Sequence, residues 1–245
     1  MRTIADELEG QTAQAWVTTS YLIASTITTP LYGKLSDQYG RKPFYLFAIV
    51  VFLLGSLLCA TAQDIYQLAG YRAVQGIGAG GLMSLAFAIV GDLVSPRERG
   101  RYQGWFMAVF GTSSVLGPVI GGAFAGQTTI LGADGWRWIF LINVPIGLLA
   151  LAVVMKKLHL PKRVNEHRID VIGAGLLTAA VVPLLLVAEQ GREWGWASSL
   201  TLGLIALSLG SLVAFVPWER RMGVEAILPL RMFSSSVFSI TSVMS

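Results

Sequence analysis

Long apolar runs separated by short polar stretches dominate the chain. Each run holds roughly 20 residues, which is enough for a helix to cross a hydrocarbon core about 30 Å thick. The pattern predicts seven membrane-spanning helices, at residues 15–35, 43–62, 65–94, 102–125, 138–158, 169–188 and 200–218. A further apolar stretch begins near Met232. The predicted fold class is therefore all-α, a polytopic transmembrane helical bundle.

The overall composition supports this interpretation. Only 13% of the residues are charged and the mean hydropathy is +0.63, whereas soluble domains carry about 25% charged residues. The net charge of +4 could indicate a nucleic-acid partner, but the charges lie in short loops between apolar runs. The lipid bilayer is therefore the expected partner, and no nucleic acid is expected.

The sequence offers little reactive chemistry. The single cysteine, Cys59, lies in a predicted span, so an intramolecular disulfide is impossible. His159 and His167 have no cysteine or carboxylate at ligand spacing, which argues against a metal site. No Ser/His/Asp or paired-carboxylate constellation suggests covalent catalysis. We expect neither an enzyme nor a bound cofactor.

Basic residues are divided unevenly between alternate loops. Fourteen of them lie in one set and three in the other, and such an excess marks the cytoplasmic side. The larger set comprises Lys34, Arg41, Lys42, Arg97, Arg99, Arg101, Lys156, Lys157, Lys162, Arg163, Arg168, Arg220, Arg221 and Arg231, and the smaller one Arg2, Arg137 and Arg192. Residues 1–14 are then extracytoplasmic and 159–168 form a basic cytoplasmic loop. The simplest explanation is that a preceding span is missing and both ends are truncated.

The first predicted cytoplasmic loop, residues 33–42, carries four charges in ten residues. Gly33 is expected to end or loosen one helix and Gly40 to permit a tight turn. Asp37 and Arg41 are four residues apart, close enough to pair. The residues alone leave a second interpretation open, an ordinary basic loop on the cytoplasmic side.

The pattern Gly-x-Leu-x-Asp-x-x-Gly-Arg-Lys resembles the loop between the second and third helices of the major facilitator superfamily. In that family the loop is a conformational latch that stabilises the outward-facing state. The resemblance implies latch roles for Gly33, Asp37, Gly40, Arg41 and Lys42. Asp92, at the cytoplasmic end of a later span, is the expected partner of Arg41.

A second motif reads Arg72-x-x-Gln75-Gly76-x-Gly78-x-Gly80. Arg72 falls about 10 Å into its span at 1.5 Å per residue, a depth at which a charge is by default a functional hypothesis. The alternative is an arginine that snorkels or is satisfied by carbonyl groups. The motif resembles the family's fourth-helix motif, which implies a role in proton coupling for Arg72, and Gln75 shares its helix face.

The glycines of this segment have two possible interpretations. Gly76, Gly78 and Gly81 match a dinucleotide-binding pattern, but no strand precedes them and no βαβ unit surrounds them. The pair Gly76 and Gly80 instead predicts a surface of small residues for close helix packing.

A third motif contains Gly117, Pro118, Gly121 and Gly122. Pro118 is expected to kink its helix, and the glycines to let a second helix approach, although a generic packing kink is an equally simple interpretation. Together with Gly104 the run resembles the fifth-helix motif of antiporters in the superfamily. Ser113 departs from that pattern, because the family usually has glycine there.

A fourth stretch, residues 136–147, is similar to the drug:proton antiporters with 14 spans. Trp136 and Trp138 suit a membrane interface, and Asn143 is a possible cavity-lining residue. Two extra helices between the six-helix bundles mark that family, and residues 169–218 lie where they belong. Residues 15–158 then correspond to helices two to six, and 219–245 to a loop and the start of the next helix. Asp170 is expected at a helix N-terminus.

The resemblance implies a secondary active transporter, a proton-coupled multidrug efflux antiporter in the inner (plasma) membrane. It would exchange amphipathic compounds for protons by alternating access, driven by the proton gradient alone and completed by a C-terminal bundle. Two alternatives stay open, namely an exporter of a native metabolite or siderophore, and a non-transporting membrane scaffold or sensor.

Overall fold

The computed structural model describes residues 4, 8, 13–160, 170–223, 226 and 227. His167, Met232 and most of the segments assigned to residues 1–14, 159–168 and 219–245 lie outside the described residues. The chain divides into two compact units, residues 1–163 and 164–245. The helices are α1 (Gln14–Tyr39), α2 (Arg41–Ala60), α3 (Ile65–Leu93), α4 (Arg99–Ala125), α5 (Trp138–Leu141), α6 (Asn143–Lys157), α7 (Val171–Trp194) and α8 (Ser199–Met222).

The predicted all-α class is confirmed. Within the described residues, six helical segments are long and apolar enough to cross a membrane: Arg41–Ala60, Ile65–Leu93, Arg99–Ala125, Gly135–Lys157, Val171–Trp194 and Ser199–Met222. They match the predicted spans from the second to the seventh. The first predicted span also forms a helix, α1, but its many serine and threonine residues keep it outside this group.

The turn between α1 and α2 is shorter than the sequence suggests. The prediction that Gly33 ends a helix is wrong, because α1 continues through it to Tyr39. That Gly33 loosens the helix stays a prediction. Gly33 keeps its place in the helix, and its carbonyl accepts a hydrogen bond from Ser36 Oγ at 2.8 Å. Gly40 alone separates the two helices. Its φ of 103° is a conformation that a side chain would strain.

A short antiparallel hairpin follows α4. Its strands are β1 (Thr129–Ile130) and β2 (Ala133–Asp134), too short to produce a recognisable alternation in the sequence. Arg137, in the 3-10 turn after the hairpin, donates to the carbonyl groups of Ala60 and Ala62 at 2.6 and 2.9 Å. This contact joins the hairpin region to the end of α2.

Trp136 is not exposed at the membrane interface, the position that a tryptophan near the end of a predicted span suggested. Its side chain is 1% exposed and packs in a cluster with Cys59, Leu68 and Phe140. The ring of Phe140 meets its indole edge to face at 6.3 Å. The tryptophan is therefore part of the core of the first unit.

The fifth predicted span consists of two helices, with Ile142 between α5 and α6. Pro145 explains the interruption. It has no backbone N–H, so the carbonyl of Leu141 loses the hydrogen bond that a continuous helix would provide. Asn143 consequently lies at the break, as the first residue of α6.

Glycines on α3 allow α1 and α2 to pack closely against it. A Cβ atom at Gly76 would lie 2.5 Å from the carbonyl oxygen of Tyr21 on α1. One at Gly78 would lie 2.7 Å from the carbonyl oxygen of Ala48 on α2. The small-residue surface predicted from Gly76 and Gly80 is confirmed, and α3 uses glycine on both of its packed faces.

Hydroxyl groups of α1 fill the narrow space next to α3. Ser20 Oγ donates to the carbonyl oxygen of Ala69 at 2.7 Å, and Thr29 Oγ1 lies 3.2 Å from that of Gly80. These side chains explain why a helix of such modest hydropathy still packs tightly. Its polar groups are satisfied by the neighbouring backbone.

The described part of the second unit contains a pair of helices, α7 and α8. Asp170 caps α7 by accepting a hydrogen bond from the backbone N–H of Gly173 at 2.8 Å, which confirms the predicted N-terminal position. The same oxygen accepts from Trp218 Nε1 on α8 at 2.9 Å. Ser208 Oγ on α8 also donates to the carbonyl group of Ala180 on α7. Polar contacts therefore join the start of α7 to the end of α8 and also join the two helices near their middle.

Substitution of Gly76 tests the packing of α3. Gly76→Ala should lower the free energy of unfolding by about 1–3 kcal/mol, because the added methyl group overpacks the contact with α1. Unfolding in mixed detergent micelles measures the change.

Gly70→Ala is the matched control, since Gly70 lies on the same helix with no atom within 4 Å of its Cβ position. It should stabilise the protein by about 0.5–1 kcal/mol through helix propensity. Equal effects at the two positions would contradict the packing described here.

Candidate functional site

Arg41 organises a polar cluster at the end of α3. Its Nη2 lies 2.6 Å from Asp37 Oδ1 and its Nε 2.9 Å from Asp92 Oδ2. Its Nη1 also donates to Ser36 Oγ at 2.9 Å. The contact expected between Arg41 and Asp92 is present, and Ser36 is a partner that the sequence did not indicate. The latch role of these residues stays a prediction.

The geometry of this cluster suits an interaction that can break. The side chains of Asp37 and Asp92 are 52% and 46% exposed, and that of Arg41 is 19% exposed. Exposed pairs of this kind contribute about 0–1 kcal/mol each. The arginine is held by several weak contacts, none of which is costly to separate.

Basic residues also satisfy the last turns of two helices near this cluster. Lys42 Nζ donates to the carbonyl oxygen of Met155 on α6 at 2.9 Å. Arg99 Nη2 donates to that of Gly91 on α3 at 2.7 Å. Carbonyl groups at helix C-termini lack helical partners and carry the negative end of the dipole, so both contacts are favourable. Lys42 thus joins the start of α2 to the end of α6.

Arg72 lies in a second, more enclosed polar site between α1, α2 and α3. Its Nη1 donates to Gln75 Oε1 at 2.6 Å and its Nε to the carbonyl oxygen of Val17 at 3.3 Å. The guanidinium carbon lies 4.0 Å from the centre of the Tyr21 ring, a cation–π contact. Among the described residues no carboxylate forms an ion pair with Arg72. The charge is held by neutral groups.

Gln75 extends this site towards α2. It is 2% exposed, and its Nε2 donates to Ser56 Oγ at 2.7 Å. A Cβ atom at Gly55 would lie 2.5 Å from the Cα atom of Gln75, so only glycine permits this approach. Ser56 and Tyr21 were missed because they lie on other helices, where nothing in the motif of α3 indicates them.

Asn143 reaches the same serine from α6. Its Nδ2 lies 3.5 Å from Ser56 Oγ, which is longer than the usual N–H···O hydrogen bond of about 2.7–3.2 Å. The structure therefore brings Arg72, Gln75 and Asn143 into one chain of polar contacts through Ser56. The cavity-lining role of Asn143 stays a prediction.

The third motif lies apart from both sites. Gly117, Pro118, Gly121 and Gly122 lie on α4, which has no buried residue and runs without interruption through Pro118. Apart from the adjacent residues and the neighbouring backbone of α4 itself, no described atom comes within 4 Å of the Cβ positions of the three glycines. The close helix approach expected there is not made by any residue that the structure describes, and the kink stays a prediction.

The six helices of the described residues that are long and apolar enough to cross a membrane indicate a multi-pass membrane protein. The family model of the Major Facilitator Superfamily matches residues 1–245, and the chain belongs to this superfamily of transporters, which are not enzymes.

Three relatives illustrate the similarity. Multidrug resistance protein 3 of Bacillus subtilis (strain 168) is 41% identical over 94% of this chain and 44% of its own length. Multidrug transporter protein MdtP of the same organism is 34% identical over 99% of this chain and 44% of its own. Efflux pump FUS6 of Gibberella fujikuroi is 37% identical over 99% and 44%. The chain spans less than half the length of these curated relatives.

The two glycines of the first loop provide a direct test of the turn. Gly40→Ala should lower the free energy of unfolding by about 1–3 kcal/mol, because its φ of 103° and ψ of 144° lie in a backbone region that residues with a side chain rarely adopt. Gly33→Ala should leave stability unchanged or raise it, since Gly33 lies inside α1 with no atom within 4 Å of its Cβ position. Denaturant unfolding of both variants measures these changes. A lower free energy of unfolding for Gly33→Ala, with none for Gly40→Ala, would contradict the turn described here.

Charge removal tests the cluster around Arg41. Asp37→Asn and Asp92→Asn should each lower the free energy of unfolding by less than about 1 kcal/mol, and by less again at high salt. Arg41→Ala should cost more than either change, because it removes both pairs and the contact with Ser36.

Arg101→Ala is the control, because Arg101 is exposed and makes no side-chain hydrogen bond or ion pair with the described residues. If Asp92→Asn remained equally destabilising in the Arg41→Ala background, the two residues would not be coupled.

Proposed function

We propose that the chain is part of a proton-coupled multidrug efflux antiporter that works by alternating access. Support comes from the family and from the relatives that carry multidrug transport or efflux in their names. The substrates are amphipathic small molecules and protons, the energy source is the proton gradient, and the site of action is the inner (plasma) membrane. A C-terminal bundle of the whole protein completes the pathway.

The observation that carries the proposal is Arg72. A cation at this depth raises the free energy of the folded protein unless nearby groups compensate for it. Gln75, the carbonyl group of Val17 and the ring of Tyr21 hold it in place without neutralising it. Its field therefore favours the ionised form of any carboxylate that comes near during the transport cycle.

The permanent charge of the guanidinium group also limits the role of Arg72. A guanidinium group does not lose its proton in proteins, so Arg72 is not the carrier of the transported proton. Its role is to promote release of a proton from a carboxylate elsewhere in the whole protein. Coupling then depends on where the arginine is held as well as on its charge.

Alternating access needs a part that moves as a unit and contacts that separate. Close packing through the glycines of α3 makes α1, α2 and α3 such a unit. The pairs of Arg41 with Asp37 and Asp92 are exposed and individually weak. We assign them the role of a latch that forms in one state and opens in the other.

Transport in inside-out membrane vesicles tests the role of Arg72, with the protein expressed from its full reading frame. A fluorescent amphipathic compound should be transported only when a proton gradient is present. Arg72→Ala should reduce the rate at least about tenfold, equivalent to about 1.4 kcal/mol or more in the barrier. Arg72→Lys should give an intermediate rate, because lysine keeps the charge but not the planar fork of donors.

Arg101→Ala provides the control for the loss of one basic residue and should transport like the wild type. The proposal is wrong if no proton-dependent transport occurs and Arg72→Ala is indistinguishable from the wild type. Proton-dependent export of a native metabolite, with no transport of varied amphipathic compounds, would instead support an exporter of a native metabolite or siderophore.

A further inference from the structure

A continuous chain of polar groups leads from Arg72 across α2 to the break before α6. Arg72 donates to Gln75, and Gln75 donates to Ser56. Asn143 approaches the same serine from the other side at 3.5 Å. Ser56 is 0% exposed and is the member of this chain that belongs to none of the four sequence motifs.

The hydrogen bonds of Ser56 have a fixed direction. A serine hydroxyl donates one hydrogen bond and can accept two. Ser56 Oγ lies 2.9 Å from the carbonyl oxygen of Phe52, a group that can only accept, so its hydrogen is directed there. The oxygen of Ser56 must then be an acceptor for Gln75 Nε2 at 2.7 Å.

This direction determines the orientation of the Gln75 amide. With its NH2 group on Ser56, Gln75 directs its carbonyl oxygen to Arg72, which has donors only. The opposite orientation would place the NH2 group against the guanidinium, leaving donors that face each other. The amide is enclosed, because Gln75 is 2% exposed and Gly55 lets α2 lie directly against it. An incorrectly oriented amide would have little water to satisfy it.

We propose that Ser56 is a positioning residue for Arg72. By fixing the amide of Gln75 it supplies the 2.6 Å acceptor that, with Val17 and Tyr21, sets the place of the guanidinium. That this positioning matters for transport rests on the proposed function. That Ser56 positions Arg72 does not depend on it.

Thermal unfolding of the purified chain in detergent tests the positioning. Ser56→Ala should lower the midpoint by about 3 °C or more, as expected for the loss of a buried hydrogen bond. Ser84→Ala is the matched control. Ser84 Oγ also donates to a carbonyl group one turn earlier, that of Gly80 at 2.7 Å, but has no contact with Gln75. It should cause no comparable shift.

A second variant separates positioning from packing. Glutamate at position 75 offers two equivalent acceptor oxygens, so it can hold Arg72 without help from Ser56. The double variant Ser56→Ala/Gln75→Glu should recover most of the lost midpoint. The proposal is overturned if the double variant is no more stable than Ser56→Ala. It is also overturned if Ser56→Ala causes the same loss in an Arg72→Met background.

The pH dependence of transport in vesicles gives an independent measurement. Ser56→Ala should move the pH midpoint in the same direction as Arg72→Lys, whereas the control Ser84→Ala should leave it unchanged. An unchanged midpoint in a Ser56→Ala protein that shows proton-dependent transport contradicts the proposal. If the wild type shows no such transport, the proposed function fails, and the thermal measurements still decide the role of Ser56.

Discussion

The close approach of α1 and α2 to α3 is the constraint on which the rest of the first unit depends. Lipid chains are as apolar as leucine, so helices in a bilayer gain little from burying apolar side chains against one another and depend on close packing instead. Glycines on α3, together with Gly55 on α2, remove the side chains that would hold the backbones apart. The hydroxyl groups of α1 then come within reach of the α3 carbonyl groups, and Gln75 within reach of Ser56.

The two arginines with assigned roles differ because of their surroundings. Arg41 meets carboxylates in a half-exposed cluster, where water competes for every contact and the pairs separate at little cost. Arg72 meets an amide, a carbonyl group and an aromatic ring in an enclosed site, which hold it in place. No carboxylate of the described part of the chain forms an ion pair with it. The first arrangement suits a contact that changes between conformations, and the second suits a fixed source of positive potential.

In each site, the sequence predicted the contacts between residues on one helix and the contacts that the family pattern implies. The Arg41–Asp92 contact was expected and is present, and Gln75 does share a helix face with Arg72. Ser36, Ser56 and Tyr21 were not anticipated, because serines and aromatic residues are common in spans and their spacing shows nothing about the facing helix. Gly33 was misread because glycine is compatible with a helix interior when the flanking hydrogen bonds continue.

By itself the sequence determined the α-helical class, the approximate limits of six long apolar helices, and the small-residue face of α3. These depend on local properties, hydropathy over about 20 residues and periodicity along one helix, which can be read without a partner. Only the tertiary structure decided that Trp136 is buried, that Gly40 alone makes the turn, and that Arg72, Gln75, Ser56 and Asn143 form one chain of contacts. Such facts depend on how each helix is rotated and shifted against its neighbours, and that is set by packing between segments far apart in the sequence.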